Sequence, residues 1–222
     1  MSQFDDDNMS DLINTFEKNF ARLPAKLNEA WSHAVQFGWY PTPYMPAKPP
    51  KISLQSQHAI DTKMSQKFEE KYLEAKEFIL SHAKNREHIL SVALSLHEQA
   101  NYIASIPLLL AQSDGVFEEY LGLSAFTRKE SKLKNIEIKV NNAFTNEPIA
   151  KAYFVQFAKP SQYSEHSRCA GEIEKAQAPN RNGILHGDPK HLDYGTYINS
   201  CKAICFLSSV MWLSEHYRES KT

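Results

Sequence analysis

The chain predicts an all-α helical bundle, and three observations carry that prediction. Strand formers are scarce, with 6 valines and 7 threonines against 19 leucines across 222 residues, a supply that favours helices over pleated sheets. Apolar residues recur at three- and four-residue intervals along most of the chain. Only 7 glycines are present, too few to make phosphate-cradling or dinucleotide-binding loops a natural reading. The length is ample for a hydrophobic core, and a chain that is 42% apolar and 23% charged is neither disordered nor fibrous.

Taken in order, Ser10 is placed to cap a first helix, with Asp11 in its first turn and Leu12, Ile13, Phe16, Phe20 and Leu23 at helical spacing. Pro24 opens a second helix, striped by Leu27, Trp31, Ala34 and Val35 and ended by Gly38. Five prolines within residues 41–50 forbid helix there and predict an extended, partly polyproline strip. Trp39, Tyr40 and Tyr44 should fasten that strip across the body. A long helix is expected over residues 56–83, with Met64, Phe68, Leu73 and Ile79 turned inward. Asn85 suggests a cap for a helix from Arg86 to Glu98. Another is expected from Gln99 to Gln112, kinked near Ile103 by Pro107 and closed by Asp114-Gly115.

The alternation from Ile136 to Val140 allows one short strand. A helix from Ile149 to Phe157 and a polar stretch follow, then a short helix from Pro179 that stops at Gly187 and Pro189. The last long helix is predicted over Tyr194 to Tyr217, with Tyr197, Ile198, Ala203, Ile204, Leu207, Met211 and Trp212 facing the core. In domain terms, residues 1–50 read as an acidic helical extension with its proline-rich strip, and 51–222 as the bundle.

No apolar run approaches the roughly 20 residues that cross a bilayer, and no membrane partner is expected. The acidic N-terminus lacks the basic flank and apolar stretch of a secretory signal, so a cytoplasmic location is expected. Three cysteines, two of them at 201 and 205 on one helical face, suit packing rather than a disulfide framework.

A formal net charge of −1 hides an asymmetry. Residues 1–17 hold five acidic and no basic side chains, so the remainder, with 25 basic and 21 acidic, stands at +4. Its most basic run is 128–139, either a solvated face or a phosphate-contacting patch in which Arg128, Lys129, Lys132 and Lys134 are the candidate residues.

The segment that carries chemistry is Asn180 to Gly187, NRNGILHG. Metal-free chemistry at a phosphodiester needs a proton-handling group titrating near neutrality and a cation for the pentacovalent phosphate. Histidine provides the first and the planar guanidinium of arginine the second. Arg181 and His186 are the candidate catalytic pair, with Asn182 holding the phosphate or orienting the imidazole, and Asp114 a candidate to orient either partner. On an undistorted helix, positions five apart are rotated by about 140° and separated by about 7.5 Å along the axis, so His186 must lie where the helix ends and can bend. His186, Asp188, His191 and Asp193 also offer four candidate metal ligands, but Pro189 among them and the lack of a recurrent metal spacing argue against a metal.

NRNGILHG followed by a long apolar helix resembles the Arg-x4-6-His motif, with asparagine in its usual polar second position, of the HEPN superfamily of helical-bundle proteins. The resemblance covers residues 179–212. Many members are metal-independent endoribonucleases of toxin–antitoxin and antiviral systems, and some keep the fold without cleavage. It therefore implies a HEPN-type bundle that cuts RNA to a cyclic phosphate, with no cofactor and no metal. It also implies a homodimer whose two motif copies share one cleft, and a possible antitoxin or sensor partner. The alternative is a non-catalytic helical module that binds RNA, a nucleotide or a protein in the same groove.

Overall fold

The structure is a computed structural model and describes residues 12, 14–49, 56–164 and 178–221. Ser10, Asp11 and Ile13 lie outside the described residues. The fold is all-α, with no strand among the described residues. Helix α1 covers residues 14–21, α2 Leu23–Gln36, α3 Gln57–Glu70, α4 Tyr72–His82, α5 Glu87–Glu98, α6 Tyr102–Leu121, α7 Glu130–Ala143, α8 Pro148–Phe154, α9 Arg181–Leu185 and α10 Tyr197–Glu219. No helix among the described residues is long and apolar enough to cross a membrane.

Helix α10 is the axle. Every residue from Ser200 to Met211 is buried, the mark of a helix surrounded on all sides rather than amphipathic. Helix α6 lies along it, α5 packs on α6, and α3 and α4 take another flank. The polar residues of α10 are accommodated in kind. Ser208 donates to the Ile204 carbonyl at 2.9 Å, while Lys202, fully buried, pairs with Asp61 of α3 at 2.8 Å. Burial holds the Lys202 ammonium below the usual lysine range, and the Asp61 charge opposes that fall.

Helix α2 packs on α8, and the proline strip ties both to the axle. Trp31 Nε1 donates to the Ala47 carbonyl at 2.9 Å, Trp39 Nε1 to Asp61 at 2.8 Å, and the Tyr44 hydroxyl to Ser208 Oγ at 2.8 Å. Tyr40 packs among Phe157, Tyr163 and Phe206.

Five sequence expectations are corrected. The long helix over 56–83 is two helices, broken at Lys71, whose N–H turns back to the Phe68 carbonyl at 3.0 Å. Leu73, expected inside, is 79% exposed on α4. Asn85 does not cap α5; Lys84–Arg86 form a 3-10 turn, and α5 begins at Glu87 with no side-chain cap. Asp114-Gly115 does not close α6, which starts at Tyr102 and runs to Leu121, ending at Gly122 with φ 67°. Gly115 serves packing instead: a Cβ there would stand 3.0 Å from the Arg86 guanidinium. The strand allowed at 136–140 is helix α7, with Leu133, Ile136 and Val140 buried and Ile138 facing out.

Pro107 sits inside α6 and has no N–H for the Ile103 carbonyl. The Tyr194 hydroxyl supplies the missing donor at 2.9 Å, and Gly195 beside it leaves room for Ile103, whose Cγ1 would lie 2.3 Å from any Cβ at 195.

Candidate functional site

The site is built on α9, a helix of five residues set by its two ends. At the start, Asn180 has extended backbone and its buried side chain accepts the Gly183 N–H at 2.8 Å, the local bond that makes asparagine a good N-cap. At the finish, His186 leaves helical geometry and Gly187 takes φ 63°. This lets the Asp188 N–H return to the Gly183 carbonyl at 2.9 Å. Asp188 in turn accepts from the Lys190 N–H at 3.0 Å and starts the 3-10 turn Pro189–His191. That turn brings His191 back onto α9. Its ring lies against Gly183 so closely that a Cβ at 183 would stand 2.1 Å from His191 Cδ2.

Arg181 is held from three directions. Nη2 donates to Asp114 Oδ2 of α6 at 3.3 Å, Nη1 donates to Asn182 Oδ1 at 3.1 Å, and the guanidinium carbon lies 5.9 Å from the centroid of the Phe126 ring. Asp114 is itself anchored, accepting through Oδ1 from the Ser124 hydroxyl at 2.7 Å and the Ala125 N–H at 3.0 Å. The Arg181 side chain remains 29% exposed, while its Nε is buried without a partner among the described residues. The structure thus brings Arg181, Asn182 and Asp114 together.

His186 stands apart from that cluster. It is exposed at the end of α9, and among the described residues its imidazole makes no hydrogen bond or ion pair. The basic residues Arg128, Lys129, Lys132 and Lys134 are all exposed, the first two ahead of α7 and the others in its opening turns. Their run starts two residues after Phe126, the ring beneath Arg181.

His191 and Phe126 are the positioning residues that the sequence did not single out in this role. His191 was legible only as a possible metal ligand, and among the described residues no group of three or more His, Cys, Asp or Glu side chains is gathered as a metal site. The signal for its packing role was Gly183, a glycine inside a short helix, where close approach by another group is the usual reason.

Chemically, the arrangement offers a preset guanidinium, an amide beside it and an accessible imidazole at the helix end. The chain matches no known family model, no curated protein and no solved structure.

Proposed function

We propose that the chain is a cytoplasmic, metal-independent RNA endonuclease of HEPN type. The observation that supports it is the fixing of Arg181 by Asp114 and Asn182 while the guanidinium stays partly open, five residues from an exposed histidine. A positioned cation pre-organised for developing negative charge is the largest contribution a protein can make to phosphoryl chemistry. In this reading a phosphate oxygen takes up the free face of Arg181. His186 removes the 2′-hydroxyl proton as that oxygen attacks phosphorus. The bond to the 5′-oxygen breaks, the leaving oxygen takes a proton from water, and a 2′,3′-cyclic phosphate and a 5′-hydroxyl end remain. The exposed run Arg128, Lys129, Lys132 and Lys134 holds flanking phosphates. A two-fold homodimer would set His186 of one chain beside Arg181 of the other, and a toxin–antitoxin or antiviral role, with an antitoxin or sensor restraining the enzyme, follows from the family likeness.

The second reading, a non-catalytic RNA-binding or protein-binding module, is favoured by the ion pair that already engages Arg181. One assay separates the two. Wild-type protein in EDTA should cut single-stranded RNA and leave cyclic phosphate ends, and His186→Ala should abolish cutting with little change in melting temperature, as surface substitutions usually shift stability by only about 0.5 kcal/mol. Cutting that survives His186→Ala removes the histidine from the mechanism. RNA binding without cutting by wild type supports the module.

A further inference from the structure

Beside Asn180, the start of α3, the turn at His191 and the start of α10 line a cleft of about 290 Å³. Its apolar wall includes Pro179 and Ile198, and its polar wall Gln57, His191, Asp193 and Asn199. The hydrogen bonds already made around it fix what it still offers. The Asp61 carboxylate can only accept, so the Gln57 amide nitrogen, 2.7 Å from Oδ2, is its donor. The Gln57 Oε1 is thereby oriented, and it is buried with no partner among the described residues. Asn199 spends its Nδ2 on the Tyr194 carbonyl at 3.0 Å, leaving its oxygen as the free acceptor. His191 is 6% exposed and its Nε2 also has no partner among the described residues. Asp193 adds an exposed carboxylate at the rim, while Asp61 is balanced by Lys202.

Buried polar atoms without partners are rare and unfavourable, and the two side chains that carry them, Gln57 and His191, line one cleft, where a small torsional change would turn each atom toward it. The set is rich in acceptors, with one imidazole nitrogen able to donate or accept. Such a set suits a ligand that carries N–H donors on a flat apolar body small enough for a cavity at the low end of the usual range.

We propose that this cleft seats a nucleobase with an exocyclic amine, the base of a nucleotide next to the scissile phosphate. The proposal rests on the nuclease reading and names the specificity of that site. Gln57 Oε1 and Asp193 accept from the amine, His191 Nε2 meets a ring nitrogen after a small torsional adjustment, and Pro179 and Ile198 cover the ring. Uracil, which has no exocyclic amine and only the single N3–H on its pairing edge, leaves at least one of the two acceptors unmet. Because Asn180 both lines the cleft and caps α9, and His191 packs on Gly183, base and phosphate are read from two sides of one short helix.

Calorimetric titration of the full chain with adenosine, uridine and putrescine tests it. Adenosine should bind about tenfold or more tightly than uridine, the ratio that one lost hydrogen bond of ordinary strength approaches. Gln57→Leu and Asp193→Asn should each shrink that ratio severalfold, with melting curves showing that both variants fold. Equal affinity for the two nucleosides, no adenosine binding at millimolar concentration, putrescine binding as tightly as adenosine, or an unchanged ratio in both variants would overturn the proposal. Nucleosides carry no phosphate, so the result is independent of cleavage. Base-selective binding without RNA cutting would leave this cleft standing and remove the nuclease; RNA cutting with equal nucleoside affinities would do the reverse.

Discussion

Asp114, on α6, holds Arg181, at the start of α9, by an ion pair of 3.3 Å that crosses 67 residues of sequence. The carboxylate has a second duty, because its other oxygen gathers Ser124 and Ala125 and so places Phe126 under the guanidinium. Asp114→Asn keeps the shape and removes the charge. It should lower stability by about 1–2 kcal/mol, the low end for a hydrogen bond to a charged group in a pair that is partly exposed, and reduce RNA cutting without abolishing it. Denaturant midpoints and single-turnover cleavage rates measure the two effects. Unchanged stability and rate together would show that the ion pair positions nothing.

Tyr194 completes the backbone of α6 at the carbonyl that Pro107 leaves unmet. Tyr194→Phe should therefore cost about 1 kcal/mol in the native sequence. In a Pro107→Ala background the peptide N–H at 107 reaches the same carbonyl, and the same substitution should cost a fraction of that. A double-mutant cycle reads the difference directly; equal costs in both backgrounds would mean that the hydroxyl serves something other than the Ile103 carbonyl.

His97 gives the fold a dependence on pH. Its ring is buried among Phe68, Tyr72, Tyr102 and Tyr197, with Nδ1 2.7 Å from Ser200 Oγ. Burial pushes its pKa below the ordinary histidine value, and the Glu98 charge opposes the shift only in part. The unfolded chain therefore takes up a proton near pH 6.5 that the folded chain refuses. Stability from this group is complete above that value and declines as pH falls through the folded pKa. Melting temperature should drop between pH 7 and pH 5, and His97→Gln should flatten the decline. A slope unchanged in that variant would assign it to other groups.

Lys202 and Asp61 form a pair in which removing one member harms more than removing both. Asp61→Asn takes away the carboxylate that balances a fully buried ammonium and also accepts from Trp39 and Gln57. The expected loss is about 3–5 kcal/mol, the usual result of stripping one partner from a buried ion pair. Adding Lys202→Met to that variant should recover a substantial part of the loss, since no charge is then left in the core. Equilibrium denaturation of the three proteins decides it; a double variant no better than Asp61→Asn would show that the charge is not the source of the penalty.

The helical class and the burial of α10 were legible because they depend on composition and spacing along one segment. The short helix at 181–185 was legible in the same way, from Pro179 ahead of it and Gly187 and Pro189 after it, although the cap at Asn180 was not. The misreadings arose where one string supports two periods or where the deciding atom is distant. Ile136 and Val140 fit both a two-residue and a four-residue repeat, and only Leu133, one turn earlier, makes the inward stripe helical. Gly115 resembles a helix stop, yet its reason is the Arg86 guanidinium, 29 residues upstream in sequence. At Lys71 neither proline nor glycine marks the break, so the apolar pattern ran on and carried Leu73 inward with it. At the candidate site, Arg181, Asn182 and His186 were visible as a local motif. Phe126 and His191 were not, because their parts depend on which surfaces α6 and the 3-10 turn at 189–191 bring against α9.

The contact between Gly183 and His191 ties two positions of the chain into one choice. Where an imidazole lies flat against the third residue of α9, no larger side chain can follow Asn182. A chain that replaces this glycine must shrink or withdraw the residue eight places on. The asparagine-arginine-asparagine-glycine string is thus half of a longer signature whose other half is the histidine at 191. Distant relatives of this protein should be sought by the pair, with loss of one predicting change in the other.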